Sequence, residues 1–402
     1  MTQQYHPLTE PEAIEFAKTI PGLFRPDAVL TSREIGDGNL NLVFHISDPS
    51  SGASIILKQA LPYAKVVGES WPLSLDRARI ESEALRIEGE LCPDLVPQVY
   101  RYEPELALTV MEDLSDHIIM RKGLIERRTY PLFAGHIGRF LARTLFFTSD
   151  LGMNQQDKKE RQKRFINPDL CKITEDLIFD HPYTDADTNS FDAAIRDEAE
   201  QLWNDKELHL EVARLRHGFL TNGQALLHGD LHTGSIFVTE QSTKVIDPEF
   251  AYYGPMGFDI GAVLANLLLN YAGQEGWNEE GESRNEYRAY LLQTIKDVWT
   301  TFERQFRELW DEANVDRISG TKAFQDIYVE QLLRDTFGYA GCKMVRRIVG
   351  LAHVADIDTI PDAAAKERAQ RLALTIGKSL IKSHRQAASI DELIELAEKS
   401  VI

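Results

Sequence analysis

The segment from His228 to Glu249 constrains the fold more than any other part of this sequence. It contains HGDLHTGSIFV, a short polar turn and KVIDPE. Apolar runs on both sides of a polar turn predict a β-hairpin, with Asp230 in the loop before the first strand and Asp247 and Glu249 ending the second. One carboxylate to orient a hydroxyl, with others to hold Mg²⁺ against ATP, is the arrangement of a phosphoryl-transfer site. The alternative is an ordinary hairpin with surface carboxylates.

The three carboxylates suit separate tasks. Asp230 is the candidate catalytic residue, because a carboxylate can aim an acceptor hydroxyl at the γ-phosphorus and take its proton. Asp247 and Glu249 are candidate metal ligands, since Mg²⁺ usually takes one or two carboxylates with phosphate oxygens and water. Kinases with this loop usually carry Asn five residues after the aspartate, whereas this chain has Ser235. We therefore expect Glu249 to provide most of a second metal ion's coordination, with Ser235 weak or indirect.

Composition predicts a soluble globular protein. The 402 residues are 43% hydrophobic and 27% charged, and the length predicts two lobes or domains. The net charge of −19 disfavours nucleic acid and anionic membranes as partners, so ATP must be met by a local cluster of cations. We expect no signal peptide and no membrane-spanning segment, because the first residues lack a basic and an apolar region and no apolar run is long enough to span a bilayer. Three widely spaced cysteines indicate reduced thiols, and together these features predict a cytoplasmic protein.

The order of predicted elements indicates an α+β protein with two lobes. A helix over 8–20 precedes alternating patterns that predict strands in AVLTSREIG, NLVFHISD and ASIILKQA. A helix in SLDRARIESEALRIEGEL and two further strands complete a small antiparallel-sheet lobe, assigned to residues 1–113. Helical periodicity dominates residues 114–402, apart from the hairpin at 235–247, and predicts a large, mostly helical lobe.

Candidate phosphate contacts lie in the first lobe. The turn IGDGNLN could cover phosphates with backbone N–H groups, with Asn41 as a side-chain donor, although the same residues suit an ordinary hairpin turn. Lys58 on the third strand is placed to pair with the α- and β-phosphates; the alternative is a solvent-facing lysine. The following helix offers Glu81 as the preferred ion-pair partner of Lys58 and Glu83 as the second choice.

The segment VMEDL after the fifth strand is a candidate hinge, where backbone groups would hydrogen-bond adenine. It contains Glu112, Asp113 and Leu114. Further along the chain, we expect Asp259 to be structural, opening the following helix and bonding loop amides.

The pair Arg346 and Arg347 has two interpretations. One is a solvated helix face shared with Lys343. The other is a fork of donors for a sugar or for the transferring phosphoryl group. The spacing of the residues leaves both open.

Taken together, these segments resemble the 5-methylthioribose kinases, a sugar-kinase family of methionine salvage within the protein-kinase-like, aminoglycoside-phosphotransferase-type superfamily. The resemblance covers almost the whole chain and includes EIGDGNLNLVFHI, VMEDLSDH, HGDLHTGSIF and VIDPEFAYYGPMGFDIG. The segments YAKVVGESWPL and MVRRIVGLAHVAD point to this family, because related kinases acting on aminoglycosides, choline or homoserine do not share them.

The resemblance implies a bilobal protein-kinase-like fold and a homodimer. It also implies transfer of a phosphoryl group from ATP, with Mg²⁺, to the anomeric hydroxyl of 5-methylthio-D-ribose. The residues implied for the nucleotide and its metal are Asn41, Lys58, Glu81, Glu112, Asp113, Leu114, Asp247, Pro248 and Glu249. Those implied for the sugar are Asp230 as the base, Arg346, Arg347 and Trp71, the last in a loop that folds over the site.

Two alternative functions stay open at the level of sequence. Another small-molecule kinase of the superfamily would have no reason to carry the paired arginines. A catalytically inactive nucleotide-binding regulator is favoured only by Ser235, whereas intact Lys58, Asp230, Asp247 and Glu249 argue against it.

Overall fold

The computed structural model of this chain describes residues 5–36, 40–64, 68–278 and 281–401, with their side chains except at 64 and 68–71. By internal contacts the chain forms two compact units. Unit 1 comprises Met1–His117 and Ile246–Phe250, and unit 2 comprises Ile118–Val245 and Ala251–Ile402. Asp247 and Glu249 therefore belong to unit 1.

Unit 1 is built on an antiparallel sheet. Its elements are α1 (Glu10–Lys18), β1 (Thr31–Glu34), β2 (Asn41–Ser47), β3 (Ser54–Ala60), β4 (Tyr63–Ala64), β5 (Gly68–Pro72), α2 (Asp76–Leu91), β6 (Val99–Glu103) and β7 (Leu108–Glu112). The strand order in the sheet is β1-β2-β3-β7-β6.

The first helix begins with a capping box, and the prediction of a helix over 8–20 is confirmed. The backbone N–H and the hydroxyl of Thr9 both donate to Glu12, at 2.8 and 2.7 Å. The buried face of α1, which carries Ala13 and Ala17, packs against the sheet. The sheet residues in this core include Phe44, Ile46, Ile55, Leu57, Leu108 and Val110.

A short hairpin, β4–β5, lies between β3 and α2 and was not predicted. The backbone of Trp71 lies in β5, where sequence analysis expects a loop. Tyr63 of β4 and Trp71 of β5 are aromatic, and aromatic residues favour strands, so local preference is consistent with the hairpin.

Unit 2 is mostly helical. Its helices are α3 (Met120–Ile125), α4 (Phe133–Phe147), α5 (Gln155–Arg164), α6 (Pro168–Phe179), α7 (Arg196–Asn204), α8 (Lys206–Thr221), α9 (Gly257–Trp277), α10 (Glu282–Ala313), α11 (Lys322–Val349), α12 (Ala355–Asp358), α13 (Ala363–Ser383) and α14 (Ile390–Lys399). Its strands are β8 (Ile118–Ile119), β9 (Ala225–Leu227), β10 (Ile236–Val238), β11 (Thr243–Val245) and β12 (Tyr252–Gly254).

The predicted hairpin at 235–247 is confirmed as β10 and β11. Strand β8 adds to β10, and β9 pairs with β12. These two- and three-residue strands were not predicted, because they are too short to show a periodic pattern.

Helices α9, α11 and α13 pack closely against one another in unit 2. A Cβ on Gly261 of α9 would lie 2.8 Å from the backbone of α11, and a Cβ on Gly341 of α11 would lie 2.5 Å from Gly377 O of α13. Glycine is therefore required at both crossings. This packing buries the carboxyl-terminal part of α11, including residues 336–349.

The predicted α+β class is confirmed, with a small antiparallel sheet in unit 1 and a mostly helical unit 2. Among the helices that the structure describes, none combines the length and the apolar character needed to cross a membrane.

Candidate active site

Lys58 lies on the central strand of the unit 1 sheet and makes two ion pairs. Strand β3 pairs with β2 on one side and β7 on the other, which fixes the backbone at Lys58. Its Nζ lies 2.7 Å from Oε1 of Glu81 on α2 and also contacts Oδ1 of Asp247. Of the two candidate partners, Glu81 makes the ion pair, whereas Glu83 lies 3.2 Å from Arg79.

The charges around Lys58 keep it protonated. Burial acts to lower the pKa of Lys58, but the carboxylates of Asp247 and Glu81 outweigh burial and raise the pKa above its ordinary value. An ammonium fixed in this way is a preorganised charge for a phosphate oxygen.

Asp247 has an uncommon backbone conformation. It follows β11 with a φ of 71°, a region that Asp tolerates better than most other residues. Its side chain is 38% exposed although it contacts Lys58, so the carboxylate is only partly enclosed. Pro248, the next residue, is buried.

Glu249 is buried and held by two side chains. Nη1 of Arg77 on α2 lies 2.8 Å from Oε2 of Glu249, and Nδ2 of Asn41 donates to the same oxygen at 3.3 Å. Burial and the charge of Asp247 raise the pKa of Glu249, while Arg77 opposes this shift. Arg77 lies in none of the predicted nucleotide motifs. Oε2 of Glu249 thus already accepts hydrogen bonds from two side chains. A metal ion bound through this oxygen would compete with Arg77 and Asn41, whereas the sequence led us to expect Glu249 as the main ligand of a second metal ion.

In the candidate hinge, the side chains of Glu112 and Asp113 contact other residues of unit 1. Oε2 of Glu112 accepts a hydrogen bond from the backbone N–H of Gln98 at 3.0 Å. Oδ2 of Asp113 accepts from the hydroxyl of Ser54 at 2.6 Å and lies 3.0 Å from Nε2 of His45. Leu114 is buried. Any contact of this hinge with adenine would therefore use backbone groups.

Two sequence predictions fall at least partly outside the described residues. Residues 37–39 of the turn IGDGNLN and the side chain of Trp71 are not among them. Asn41, the last residue of that turn, is described and begins β2.

In unit 2, Asp259 organises the loop of residues 228–235, here called the Asp230 loop. Its Oδ2 and Oδ1 accept hydrogen bonds from the backbone N–H groups of His228 and Gly229, at 2.6 and 3.1 Å. Gly229 has a φ of 84°, which glycine adopts without strain. The prediction that Asp259 is structural, bonding loop amides at the start of the next helix, is confirmed.

His232 and Ser235 complete the Asp230 loop. Burial lowers the pKa of His232 to about 4, so the ring is neutral near pH 7. Its Nδ1 accepts the backbone N–H of Ser235 at 3.0 Å, which leaves the proton on Nε2, 3.3 Å from Oδ2 of Asp230. The hydroxyl of Ser235 lies 3.3 Å from the backbone oxygen of Asp230 and 3.2 Å from Nδ1 of His232. The contacts of Ser235 are thus within the loop.

Three cations of α11 lie near Asp230. Lys343, Arg346 and Arg347 are 3%, 8% and 9% exposed, so the solvated-face interpretation is wrong. Nζ of Lys343 lies 3.3 Å from Oδ1 of Asp230, and Nη1 of Arg347 donates to the backbone oxygen of Ala352 at 3.2 Å. Among the described residues, no acceptor meets Nε of Arg346. Burial acts to raise the pKa of Asp230, but His232 and Lys343 outweigh it and hold the pKa well below its usual range.

Arg121 of α3 is a further cation beside this loop. Its backbone N–H donates to the backbone oxygen of Thr233 at 3.1 Å, and its Nη2 donates to Oδ1 of Asn266 at 3.1 Å. Its Nε lies 3.3 Å from Oδ2 of Asp356, a fully buried carboxylate. Arg121 therefore ties the Asp230 loop to α9 and α12.

The carboxylates of unit 1 fit a magnesium ion. The residues in the described ranges include no group of three His, Cys, Asp or Glu side chains that could hold a metal ion alone. Mg²⁺ typically takes one or two carboxylates and completes its shell with phosphate oxygens and water. The partly exposed Asp247, two residues before Glu249, meets that requirement.

Arg77 and Arg121 were not predicted, and Lys343 entered only the solvated-face interpretation of the arginine pair. A signal for Lys343 was present, because it stands three and four residues before Arg346 and Arg347, on the same helical face. The stretch GYAGCKMVRRIVGLA is otherwise apolar, which indicates a buried helix. No local pattern marks Arg77 or Arg121.

Comparison with known proteins identifies the family. The sequence pattern of the phosphotransferase enzyme family matches residues 31–300. A methylthioribose kinase of Geobacillus sp. (strain WCH70) is 50% identical over 398 residues, which cover 99% of this chain and 97% of that protein. The methylthioribose kinase of Geobacillus kaustophilus (strain HTA426) is 52% identical, covering 96% and 94%. That of Bacillus pumilus (strain SAFR-032) is 47% identical, covering 100% and 99%.

These matches cover nearly all of this chain and nearly all of each relative, so they include both units. The predicted protein-kinase-like fold is confirmed by the family match. The chain therefore belongs to the methylthioribose kinase family, within the phosphotransferase enzyme family.

Proposed function

We propose that this chain transfers the γ-phosphoryl group of ATP to the anomeric hydroxyl of 5-methylthio-D-ribose, giving 5-methylthioribose 1-phosphate and ADP. The observation that carries the proposal is the 50% identity to a methylthioribose kinase over 99% of the chain. The names of the relatives supply the substrate. The residues of the two units supply groups that suit each half of the reaction.

Nucleotide binding is assigned to unit 1. Lys58, held by Glu81, would bind phosphate oxygens, and the hinge backbone at 112–114 would bind adenine. Asp247 would be the main Mg²⁺ ligand, because its carboxylate is the more exposed one, with Glu249 as the second. Bound Mg²⁺ would neutralise charge on the β- and γ-phosphates. Asn41 would act partly through Glu249, to which it donates.

Acceptor activation is assigned to Asp230. The acceptor oxygen attacks the γ-phosphorus, and the bond between the γ-phosphorus and the bridging oxygen of the β-phosphate breaks, so that ADP leaves. The hydroxyl proton passes to Asp230. A carboxylate with a pKa well below its usual range is a weak base, so orientation of the hydroxyl is its larger contribution. This suffices, because an anomeric hydroxyl is more acidic than an ordinary alcohol. A loose transition state also requires little proton removal before the phosphoryl group moves.

Arg346 and Arg347 are assigned to the sugar and to the charge of the moving phosphoryl group. Both are buried on the helix whose Lys343 contacts Asp230. A guanidinium presents several N–H groups in a fixed plane and can bond hydroxyl and phosphoryl oxygens together. Trp71 is proposed to contact the sugar.

The setting follows from the family. We propose that the enzyme acts in methionine salvage, in the cytoplasm and as a homodimer, with a small sugar as its partner and neither nucleic acid nor membrane. The net charge of −19 supports the last point.

A substrate panel tests the proposal. Methylthioribose, ribose, choline and kanamycin are each supplied with ATP and Mg²⁺, and ADP release is measured beside phosphorus NMR of the product. We expect the highest kcat/KM with methylthioribose and a phosphate on its anomeric carbon. A higher kcat/KM with choline or kanamycin would show a different small-molecule kinase. ATP binding without transfer to any acceptor would indicate a regulator.

A further inference from the structure

Lys343 is an ammonium group buried against the carboxylate of Asp230. It lies in α11, with Nζ 3.3 Å from Oδ1 of Asp230 and 4.2 Å from the centre of the Phe258 ring. The side chain is 3% exposed, and burial of a charge is unfavourable unless the charge is paired. Asp230 supplies the ion pair, and the aromatic face supplies a weaker attraction.

The position is costly for a lysine. Arg346 and Arg347 stand on the same face of the same helix and repel Lys343. Replacing a buried ion pair by apolar residues is often neutral or stabilising. An apolar residue would therefore serve the packing of α11 as well as a lysine. The contact of the ammonium with Asp230 is what explains a lysine at this position.

The carboxylate of Asp230 is held on both oxygens. Lys343 contacts Oδ1, and Nε2 of His232 lies 3.3 Å from Oδ2. His232 belongs to the same loop as Asp230, whereas Lys343 comes from a helix more than a hundred residues later. The two contacts fix the plane of the carboxylate, and each oxygen keeps a lone pair for a further hydrogen bond.

We propose that Lys343 is a positioning residue for phosphoryl transfer, which fixes the orientation and the charge of Asp230 so that the acceptor hydroxyl is aligned. This inference rests on the proposed function. It assigns to α11 a task separate from that of the paired arginines, because Lys343 acts through Asp230. The ammonium also favours the negative charge that the acceptor oxygen gains as its proton leaves.

The proposal has a signature in pH. Burial lowers the pKa of Lys343 to about 8 despite the attraction of Asp230. The other charged groups that act on it are Arg346, Arg347 and Asp259, while His232 faces the opposite oxygen of Asp230. As pH rises through about 8, the ammonium loses its proton and the contact with Asp230 weakens. We therefore expect kcat to fall above that pH.

Three variants of this 402-residue chain test the proposal with methylthioribose, ATP and Mg²⁺: Lys343→Met, Lys343→Arg and the control Lys322→Met. Lys322 lies on the same helix but is exposed and pairs with Asp311. For Lys343→Met we expect kcat to fall about 10-fold or more, the usual effect of removing a group that orients a functional residue, with KM for ATP unchanged. The alkaline decline should be absent in Lys343→Met and displaced upward in Lys343→Arg, because Arg keeps its charge.

The kinetics of these variants can overturn the proposal in two ways. Wild-type kcat in Lys343→Met would overturn the proposal, and so would a lowered kcat with an unchanged alkaline decline. If Lys343→Arg does not fold, the pH dependence of kcat in Lys343→Met and in the wild type still tests the proposal. A wild-type enzyme inactive on methylthioribose would instead refute the proposed function, which the substrate panel detects first.

Discussion

Arg77 and Glu249 form a buried ion pair in unit 1, with Nη1 2.8 Å from Oε2. The second amino group of Arg77 donates to the backbone oxygens of Leu40 and Leu61, at 2.7 and 2.8 Å. One guanidinium therefore links α2 to the start of β2, the end of β3 and the carboxylate proposed as a metal ligand. The position of that carboxylate depends on a residue outside every nucleotide motif.

We predict that Arg77→Met destabilises the protein by about 3–5 kcal/mol, because it leaves Glu249 buried and unpaired. Burial and Asp247 raise the folded-state pKa of Glu249, and removal of Arg77 raises it further. A carboxyl group whose pKa is higher in the folded than in the unfolded protein destabilises the fold at pH values above its folded-state pKa. Below its unfolded-state pKa it is protonated in both states and costs no stability. The loss should therefore be smaller at pH 5 than at pH 8, measured by thermal unfolding.

Two variants accompany that measurement. Arg77→Met with Glu249→Gln should recover part of the loss, because no unpaired charge remains. Arg79→Met, on the same helix but partly exposed, should change stability little. Equal losses in the single and the double variant would show that the backbone hydrogen bonds of Arg77 matter more than its ion pair.

Local patterns predicted most of the fold. The helix over 8–20, which begins with the capping box of Thr9 and Glu12, and the hairpin at 235–247 are set by residues close in sequence, and both predictions are confirmed. Strands β8, β9 and β12 depend on partners distant in sequence and are too short to show a period.

The same distinction holds in the site. The Lys58–Glu81 pair and the role of Asp259 followed from motifs that place each residue on a known element. Arg77 and Arg121 were missed because they act through tertiary contacts, with Glu249 and with Asp356, that no spacing in the sequence encodes. Lys343 was considered only within the solvated-face interpretation, because a charged triplet on a helix is ordinarily solvated.

Asp230→Asn should lower kcat by about 10²–10⁴-fold while ATP affinity stays near wild type. The amide keeps the shape of the side chain but cannot accept the proton, and it gives Lys343 no charge to pair with. Steady-state kinetics beside calorimetry of ATP binding checks this. Near-normal turnover would refute the assignment of Asp230 as the base.

Asp247→Asn should abolish Mg²⁺-dependent nucleotide binding, whereas Ser235→Ala should be mild. Asparagine tolerates the positive φ of Asp247, so the substitution removes charge without straining the backbone. Ser235 loses only contacts within its own loop, worth about 1 kcal/mol. Titration of Mg²⁺ against ATP affinity separates the two. Similar losses in both variants would contradict this division of roles.

Arg346→Ala and Arg347→Ala should both lower transfer to methylthioribose strongly while leaving ATP affinity largely intact. The two should differ in stability. Arg347 holds the backbone of Ala352 after α11, so its loss should lower the unfolding temperature. Arg346 has an Nε that meets no acceptor among the described residues and lies among other buried cations, so its loss should cost little stability.

Arg347→Lys should stay impaired, though less than Arg347→Ala, because an ammonium lacks the planar set of donors. Calorimetry of ATP and of the sugar, beside kinetics and thermal unfolding, distinguishes these effects. Loss of ATP binding with sugar affinity retained would assign the arginines to the nucleotide, and unchanged kinetics in both would remove them from the site.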